Sequence, residues 1–166
     1  MAMPPLSLKG RALRLLGQRE HSRAELDRKL APHAQEPAEL GRILDELQAK
    51  GFISAQRVVE SVIHRRASRL GVARIRHELQ QKGLETGMVR EAVARLQLSE
   101  LDRAREVWRK KFGAGSPDDR NMQPPDPAAR ARQMRFLAAR GFGGDTICRV
   151  VLGTSDDDSA VGGDCG

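Results

Sequence analysis

A short helix-ending pattern, Leu-x-x-Lys/Arg-Gly-Phe/Leu, occurs three times in this chain of 166 residues, at Leu47–Phe52, Leu79–Leu84 and Leu137–Phe142. In each copy the glycine stands where a helix commonly ends in a left-handed residue, and the next apolar side chain can pack back onto the leucine five positions earlier. The Lys or Arg lies near the negative end of the helix dipole. The pattern predicts three helix ends joined to new helices by tight turns, which is typical of a repeated helical unit.

Apolar residues recur at helical spacing along most of the chain, and no segment alternates like a strand over more than a few residues. Ser22 and Glu25 form a capping box that opens one helix, and Asp126-Pro127 has the order of an N-cap and a first-turn proline. We therefore predict an all-α fold of tandem three-helix repeats, with about nine short helices in an elongated or curved array.

The helix boundaries predict a particular division of the chain. We expect a flexible N-terminus at 1–7, three-helix repeats at 8–53, 54–97 and 98–152, and a disordered tail at 153–166. A Gly-, Pro- and Asp-rich stretch at 113–125 is expected to be a mobile loop inside the third repeat.

Two of the predicted helices have apolar stripes that fix their orientation. In the helix at 8–17, Leu13 and Leu16 are expected to lie on one side. In the first helix of the second repeat, the stripe that begins at Val59 is expected to run to Leu70 and to end at Gly71.

The composition excludes several broad classes of protein. Hydrophobic residues make up 39% of the chain and aromatic residues 3%, with a mean hydropathy of −0.52, so helices with one apolar stripe fit better than a thick core. No stretch approaches the ~20 apolar residues of a membrane span, and the first residues lack the order of a signal peptide. We expect a cytoplasmic protein.

Positive charge is concentrated in the middle of the chain. The net charge is +7, and residues 57–112 alone carry 14 Lys/Arg against 7 Asp/Glu. Such a patch favours an anionic partner, either nucleic acid or an acidic protein surface. An Arg-rich solvated helical surface is the alternative interpretation of the composition alone.

Residues with catalytic or metal-binding chemistry are scattered. The chain has no Gly-rich phosphate loop, no Gly-x-Ser-x-Gly and no His-Glu-x-x-His. Its two cysteines, Cys148 and Cys165, belong to no Cys-x-x-Cys pattern. The histidines are expected in polar surroundings: His21, His33, His64 and His77. We predict no enzymatic activity, no cofactor and no metal site.

Several cations in the second and third repeats have a definite helical geometry. Arg65 and Arg69 are four positions apart and are expected to share a helix face. Arg66 falls inside the apolar stripe, so its guanidinium must either extend outward to solvent or pair with a carboxylate of a neighbouring helix, and a structural role is the preferred interpretation. The triplet at 109–111 ends a helix, where it can serve the helix dipole or a partner. Phe136 lies off its stripe and is expected either to seal a turn or to contact a partner.

The segment Ser68–Leu84 resembles the pattern of the bacterial RecX family. It contains Gly71, Arg74-Ile75, Glu78-Leu79 and Lys82-Gly83 in the family's order. Further matches lie on both sides, over roughly residues 10–152: Arg19-Glu20-His21-Ser22, Glu25-Leu26, Lys29-Leu30, Arg109-Lys110-Lys111-Phe112-Gly113, Arg135-Phe136-Leu137 and Arg140-Gly141-Phe142.

The resemblance implies a non-enzymatic regulator of the RecA recombinase in DNA repair, DNA recombination and the SOS response. It implies docking along the RecA–DNA filament and inhibition of RecA's ATPase, coprotease and strand-exchange activities. We expect a monomer that binds RecA and its filament without a membrane, and direct non-specific DNA binding is left open. The hypothetical contact face comprises Arg65, Arg69, Arg74, Arg76, Lys82, Arg109, Lys110 and Lys111.

A helix-turn-helix regulator of DNA is the competing interpretation. Tight helical turns and a sequence pI near 10.2 also fit that class. A sequence-specific reader needs Arg, Asn or Gln at base-facing positions of a recognition helix. The helices after the second and third glycine turns are mainly apolar instead, which favours the first interpretation.

Overall fold

The computed structural model describes residues 6–113 and 126–153, and these residues form α-helices and one short 3-10 turn, without a strand. The predicted all-α fold of about nine short helices is confirmed. The predicted loop residues 114–125 and the tail residues 154–166 lie outside the described part. The elements are α1 (Leu8–Gln18), α2 (Arg23–Leu30), the 3-10 turn Ala31–His33, α3 (Pro37–Ala49), α4 (Ala55–Arg66), α5 (Val72–Gln81), α6 (Thr86–Gln97), α7 (Glu100–Phe112), α8 (Pro127–Ala139) and α9 (Gly144–Leu152).

All three repeated glycines end a helix in the left-handed conformation. The φ angles of Gly51, Gly83 and Gly141 are 76°, 66° and 82°. After α3, the Phe52 amide donates to the Leu47 carbonyl (2.9 Å). The Phe142 amide donates to Leu137 in the same way after α8 (3.3 Å). These bonds, from the residue after the glycine to the leucine five positions earlier, are those of the Schellman arrangement, so the predicted turn chemistry is confirmed at the first and third turns.

The apolar residue that follows the glycine does not always pack back. Phe142 is buried, whereas Phe52 is 48% exposed, so the expectation is wrong for the first turn. There Ile53, one residue later, is buried in the core instead, and its amide also reaches the Leu47 carbonyl (3.4 Å). The motif determines the backbone conformation of the turn, whereas packing against neighbouring helices determines which of the following side chains is buried.

Contacts divide the chain into two compact units. Unit 1 holds the described residues of Met1–Ile63 and Glu78–Arg90, and unit 2 holds those of His64–His77 and Glu91–Gly166. The division passes through α4, α5 and α6. The three-repeat division of the sequence stays a prediction.

The core of unit 1 lies among α1, α2 and α3. Its buried residues are Ala12, Leu26, Leu30, Leu40, Leu44, Leu47 and Ile53. Leu13 is 37% exposed, because α1 turns its 8, 12, 15 and 16 positions toward the core. The capping box of Ser22 and Glu25 at the start of α2 is confirmed.

The core of unit 2 lies among α7, α8 and α9. Its buried residues are Ala104, Val107, Leu137, Phe142 and Ile147. Pro127 begins α8 as predicted, although the side chain of Asp126 makes no capping hydrogen bond.

The helix α4 ends at Arg66, so the prediction that it runs to Leu70 is wrong. Gly71 approaches the turn after α8 within unit 2: its amide donates to the Arg140 carbonyl (2.9 Å). The Ala73 amide donates to the Gly141 carbonyl (3.1 Å). A Cβ atom on Gly71 would collide with the backbone of Gly141. Gly71 is therefore needed for close backbone approach and not as a left-handed helix end.

We predict that Gly71→Ala destabilises the protein by about 1–3 kcal/mol, because the added methyl group forces two backbone segments apart. The matched control is Gly41→Ala inside α3, where an added Cβ meets nothing within 4 Å. The control should stabilise the protein by roughly 0.5–1 kcal/mol through better helix propensity. Urea unfolding measures both changes. Equal effects of the two substitutions would contradict the close approach.

Candidate partner-binding site

A buried carboxylate fixes Lys82 inside unit 1. Glu25 accepts hydrogen bonds from the Ser22 amide (2.9 Å), the Lys82 ammonium (2.9 Å) and the Arg19 guanidinium (3.0 Å). The Ser22 hydroxyl also donates to the Lys82 carbonyl (2.5 Å). Lys82 is only 8% exposed. Removing one partner of a buried ion pair costs about 3–5 kcal/mol, so Lys82 supports the fold, and we leave it out of the contact face.

The same contacts set the protonation of Glu25. Burial by itself raises the pKa of this carboxyl. The hydrogen bonds from Ser22, Lys82 and Arg19 outweigh burial and lower its pKa to about 2. Glu25 is therefore ionised at neutral pH and holds the start of α2 against Lys82.

A second buried carboxylate, Glu100, joins helices within unit 2. One of its oxygens accepts the amide hydrogen of Val72, the first residue of α5 (2.9 Å). The other accepts the Thr146 hydroxyl (3.3 Å). Because α5 begins at this point, the carboxylate satisfies an unpaired amide and lies at the positive end of the helix dipole.

Arg103 supports the turn that precedes α5. Its guanidinium donates to the carbonyls of Ala67 (3.0 Å), Leu70 (2.8 Å) and Leu96 (3.0 Å). Burial lowers the pKa of Arg103, and the charge of Glu100 opposes this effect. Neither Glu100 nor Arg103 was predicted from the sequence as part of a site. A signal was present, because Glu100 lies on the same stripe as Ala104 and Val107.

Seven of the eight predicted cations lie in unit 2, and Lys82 lies in unit 1. Arg65 is exposed at the end of α4. Arg69 is exposed and lies in the turn after the end of α4. The prediction that Arg65 and Arg69 share a helix face is therefore wrong. The basic triplet occupies the exposed last turn of α7: Arg109, Lys110 and Lys111.

The two predicted cations of α5 have different roles. The Arg74 guanidinium donates twice to the Ala139 carbonyl (3.3 and 3.2 Å) and so caps the end of α8. Arg76 is exposed, and its side chain has no hydrogen bond or ion pair with any residue that the structure describes. Arg74 is committed in part to the fold, whereas Arg76 is available to a partner.

The basic triplet makes little use of its charge within the protein. Lys110 approaches Glu106 at 4.0 Å, and both side chains are exposed, so this ion pair contributes little. Neither Arg109 nor Lys111 has a side-chain hydrogen bond or ion pair inside residues 6–113 and 126–153. The end of α7 therefore carries cations that are accessible to a partner.

An aromatic cluster holds the helix that carries the triplet. Phe136 meets Phe112 edge-on at 5.1 Å between ring centroids, and Phe112 lies 6.3 Å from Trp108. The Arg140 guanidinium stacks 3.6 Å above the centre of the Phe136 ring. Phe136 thus packs between α7 and the end of α8, and it is only partly buried.

His21 is buried, with charged groups near enough to affect its pKa: Arg19, Glu25, Lys29 and Lys82. Its side chain is 1% exposed, and its Nδ1 atom has no hydrogen-bond partner among the described residues. Burial, together with the charge of Arg19, lowers the pKa of His21.

Within the residues that the structure describes, no three His, Cys, Asp or Glu side chains are grouped as a metal site. No helix of this part of the chain is long and apolar enough to cross a membrane.

Comparisons with known proteins converge on one family. The model of "RecX, third three-helix domain" matches residues 99–151. The regulatory protein RecX of Leptothrix cholodnii is 55% identical over 149 residues, which cover 89% of each chain. That of Ralstonia nicotianae is 48% identical over 155 residues, or 92% of each chain.

A solved structure has the same fold. The crystal structure of RecX from Lactobacillus salivarius superposes with a TM-score of 0.63 at 19% identity, over 88% of this chain and 93% of that chain. At this level of identity, the similarity supports the fold alone.

We predict that Glu25→Gln destabilises the protein at pH 7 by about 3–5 kcal/mol, because Lys82 and Arg19 lose a buried charged partner. The ordinary pKa of 4.5 falls to about 2 in the fold. The carboxylate therefore stabilises the fold fully above pH 4.5, and this contribution is lost as the pH falls toward 2. Urea unfolding between pH 7 and pH 2.5 should show the two proteins converging.

Glu46→Gln is the matched control for this titration. The pKa of Glu46 is also lowered to about 2, by hydrogen bonds from Lys50 and Lys9, but its side chain is 40% exposed. Solvent screens such a pair, so the control should differ from the unsubstituted protein much less than Glu25→Gln does. A pH-independent effect of Glu25→Gln would rule out the role of the carboxylate charge.

Proposed function

The chain belongs to the RecX family, and from that premise we propose that it binds the RecA recombinase and the RecA–DNA filament. In this proposal it inhibits the ATPase, coprotease and strand-exchange activities of RecA and so regulates DNA repair, recombination and the SOS response. It acts in the cytoplasm as a monomer, by binding and without catalysis.

The observation that carries the proposal is the concentration of exposed cations in unit 2. Arg69, Arg76 and Lys111 are all exposed, and none has a charged partner within the described residues. Cations of this kind attract an acidic protein surface or a phosphate backbone at long range, and both are expected on a filament of protein and DNA.

Charge reversal tests this face. We predict that the triple variant Arg69→Glu, Arg76→Glu and Lys111→Glu needs at least about tenfold more protein for half-inhibition of RecA's DNA-dependent ATPase, because three attractive contacts become repulsive. Increasing salt should weaken inhibition by the unsubstituted protein. Circular dichroism should show that the variant keeps its helices, since none of the three side chains supports the fold.

A second triple variant controls for net charge. Arg42→Glu, Arg90→Glu and Arg95→Glu removes the same charge from exposed positions on α3 and α6. This control should inhibit RecA nearly as well as the unsubstituted protein. Equal losses in both variants would contradict a specific face, and no inhibition by the unsubstituted protein at stoichiometric amounts would overturn the proposed function. Tight binding to one duplex over random duplex would favour the DNA regulator instead.

A further inference from the structure

A groove of about 280 Å³ opens in unit 1 beside the first helix. Its residues come from the start and one face of α1 and from the end of α2 with the following 3-10 turn. Leu6 is 47% exposed and Leu15 is partly exposed, so these two residues give the groove its apolar surface, and the buried Leu30 also lines it. The groove therefore offers an apolar surface that the described residues leave accessible.

Every charged group of the described residues that lines this groove is basic. Arg11, Arg14 and Lys29 line it together with His33, and no Asp or Glu of those residues does so. The Arg11 guanidinium donates to the Leu6 carbonyl (3.2 Å) and is fixed at the groove. Neither Arg14 nor Lys29 forms an ion pair with another residue of the described segments. Both are exposed and can receive an anionic group.

We propose that this groove binds an acidic amphipathic segment of a protein partner. One apolar side chain of that segment packs against the leucines, and its carboxylates pair with Arg14 and Lys29. Leucine surface beside unpaired cations complements a peptide that carries Leu-like and Glu-like side chains on one helical face. Recognition combines a small apolar anchor with charge complementarity.

The open shape and the composition of the groove favour a peptide over other anions. Pockets for small molecules usually enclose most of the ligand, whereas this groove is partly open to solvent. Single-stranded nucleic acid is usually bound through aromatic stacking, and among the described residues no aromatic ring other than the His33 imidazole lines the groove. A leucine surface also gives no advantage to a phosphate backbone.

This inference is independent of the proposed RecA inhibition. None of the groove's cations belongs to the eight predicted contact residues, and all of them lie in unit 1. Binding is measured on the full chain without RecA. Loss of either function therefore does not predict loss of the other.

The test uses a fluorescein-labelled, 16-residue helical peptide with leucines at i, i+3, i+4 and i+7, a few glutamates beside them on the same face, and alanines elsewhere. Fluorescence anisotropy should show saturable binding to the full chain. The double variant Arg14→Glu and Lys29→Glu should bind at least about tenfold more weakly. Leu6→Ser should also weaken binding severalfold, since it removes exposed apolar surface. Should the charge reversal unfold the chain, Arg14→Gln with Lys29→Gln removes the same cations more mildly.

Matched controls separate the groove from general attraction to a basic protein. The double variant Arg42→Glu and Arg90→Glu has the same net charge and should bind the peptide like the unsubstituted chain. Peptides with Gln for Glu, or Ser for Leu, should bind severalfold more weakly. Equal weakening by both double variants would overturn the proposal. So would a 16-nucleotide single strand that binds more tightly than the peptide and depends equally on Arg14 and Lys29.

Discussion

The start of α5 is the point on which the arrangement of unit 2 depends. Glu100 accepts the first amide of this helix, Arg103 satisfies the carbonyls of the preceding turn, and Gly71 allows close contact with the turn after α8. Each contact pairs a backbone group that would otherwise be buried without a partner. Together they fix the segment that carries Arg69, Arg74 and Arg76.

A buried charge also stabilises unit 1, and such charges reduce the number of cations that a partner can reach. Lys82 pairs with the carboxylate of Glu25, and Arg103 donates to the carbonyls of a turn, although both lie in the positively charged middle of the chain. Arg74 caps a helix while its residue stays exposed. The cations available to a partner are therefore fewer than the sequence suggests, and those of the proposed contact face are separate from those of the proposed peptide groove.

Local chemistry in the sequence was sufficient to predict the helices and their glycine turns. The left-handed conformation of Gly51, Gly83 and Gly141 follows from the Leu-x-x-Lys/Arg-Gly pattern alone. The capping box follows in the same way from Ser22 and the glutamate three positions later. Contacts distant in sequence were not predictable in this way. The end of α4 at Arg66 depends on Arg103 and on the turn at Gly141, and the burial of Lys82 depends on a carboxylate 57 residues away. A single sequence contains both residues of such a contact but does not show that they contact each other.

Hydrogen exchange at the Val72 amide tests the central role of Glu100 most directly. Hydrogen bonds to charged groups contribute about 1.5–3 kcal/mol, so Glu100→Ala should accelerate exchange at Val72 roughly 10- to 100-fold, with a smaller change at the core residue Ala104. NMR-detected exchange in the full chain measures both amides. Unchanged protection of Val72 would show that the helix start does not depend on this carboxylate and would contradict the account.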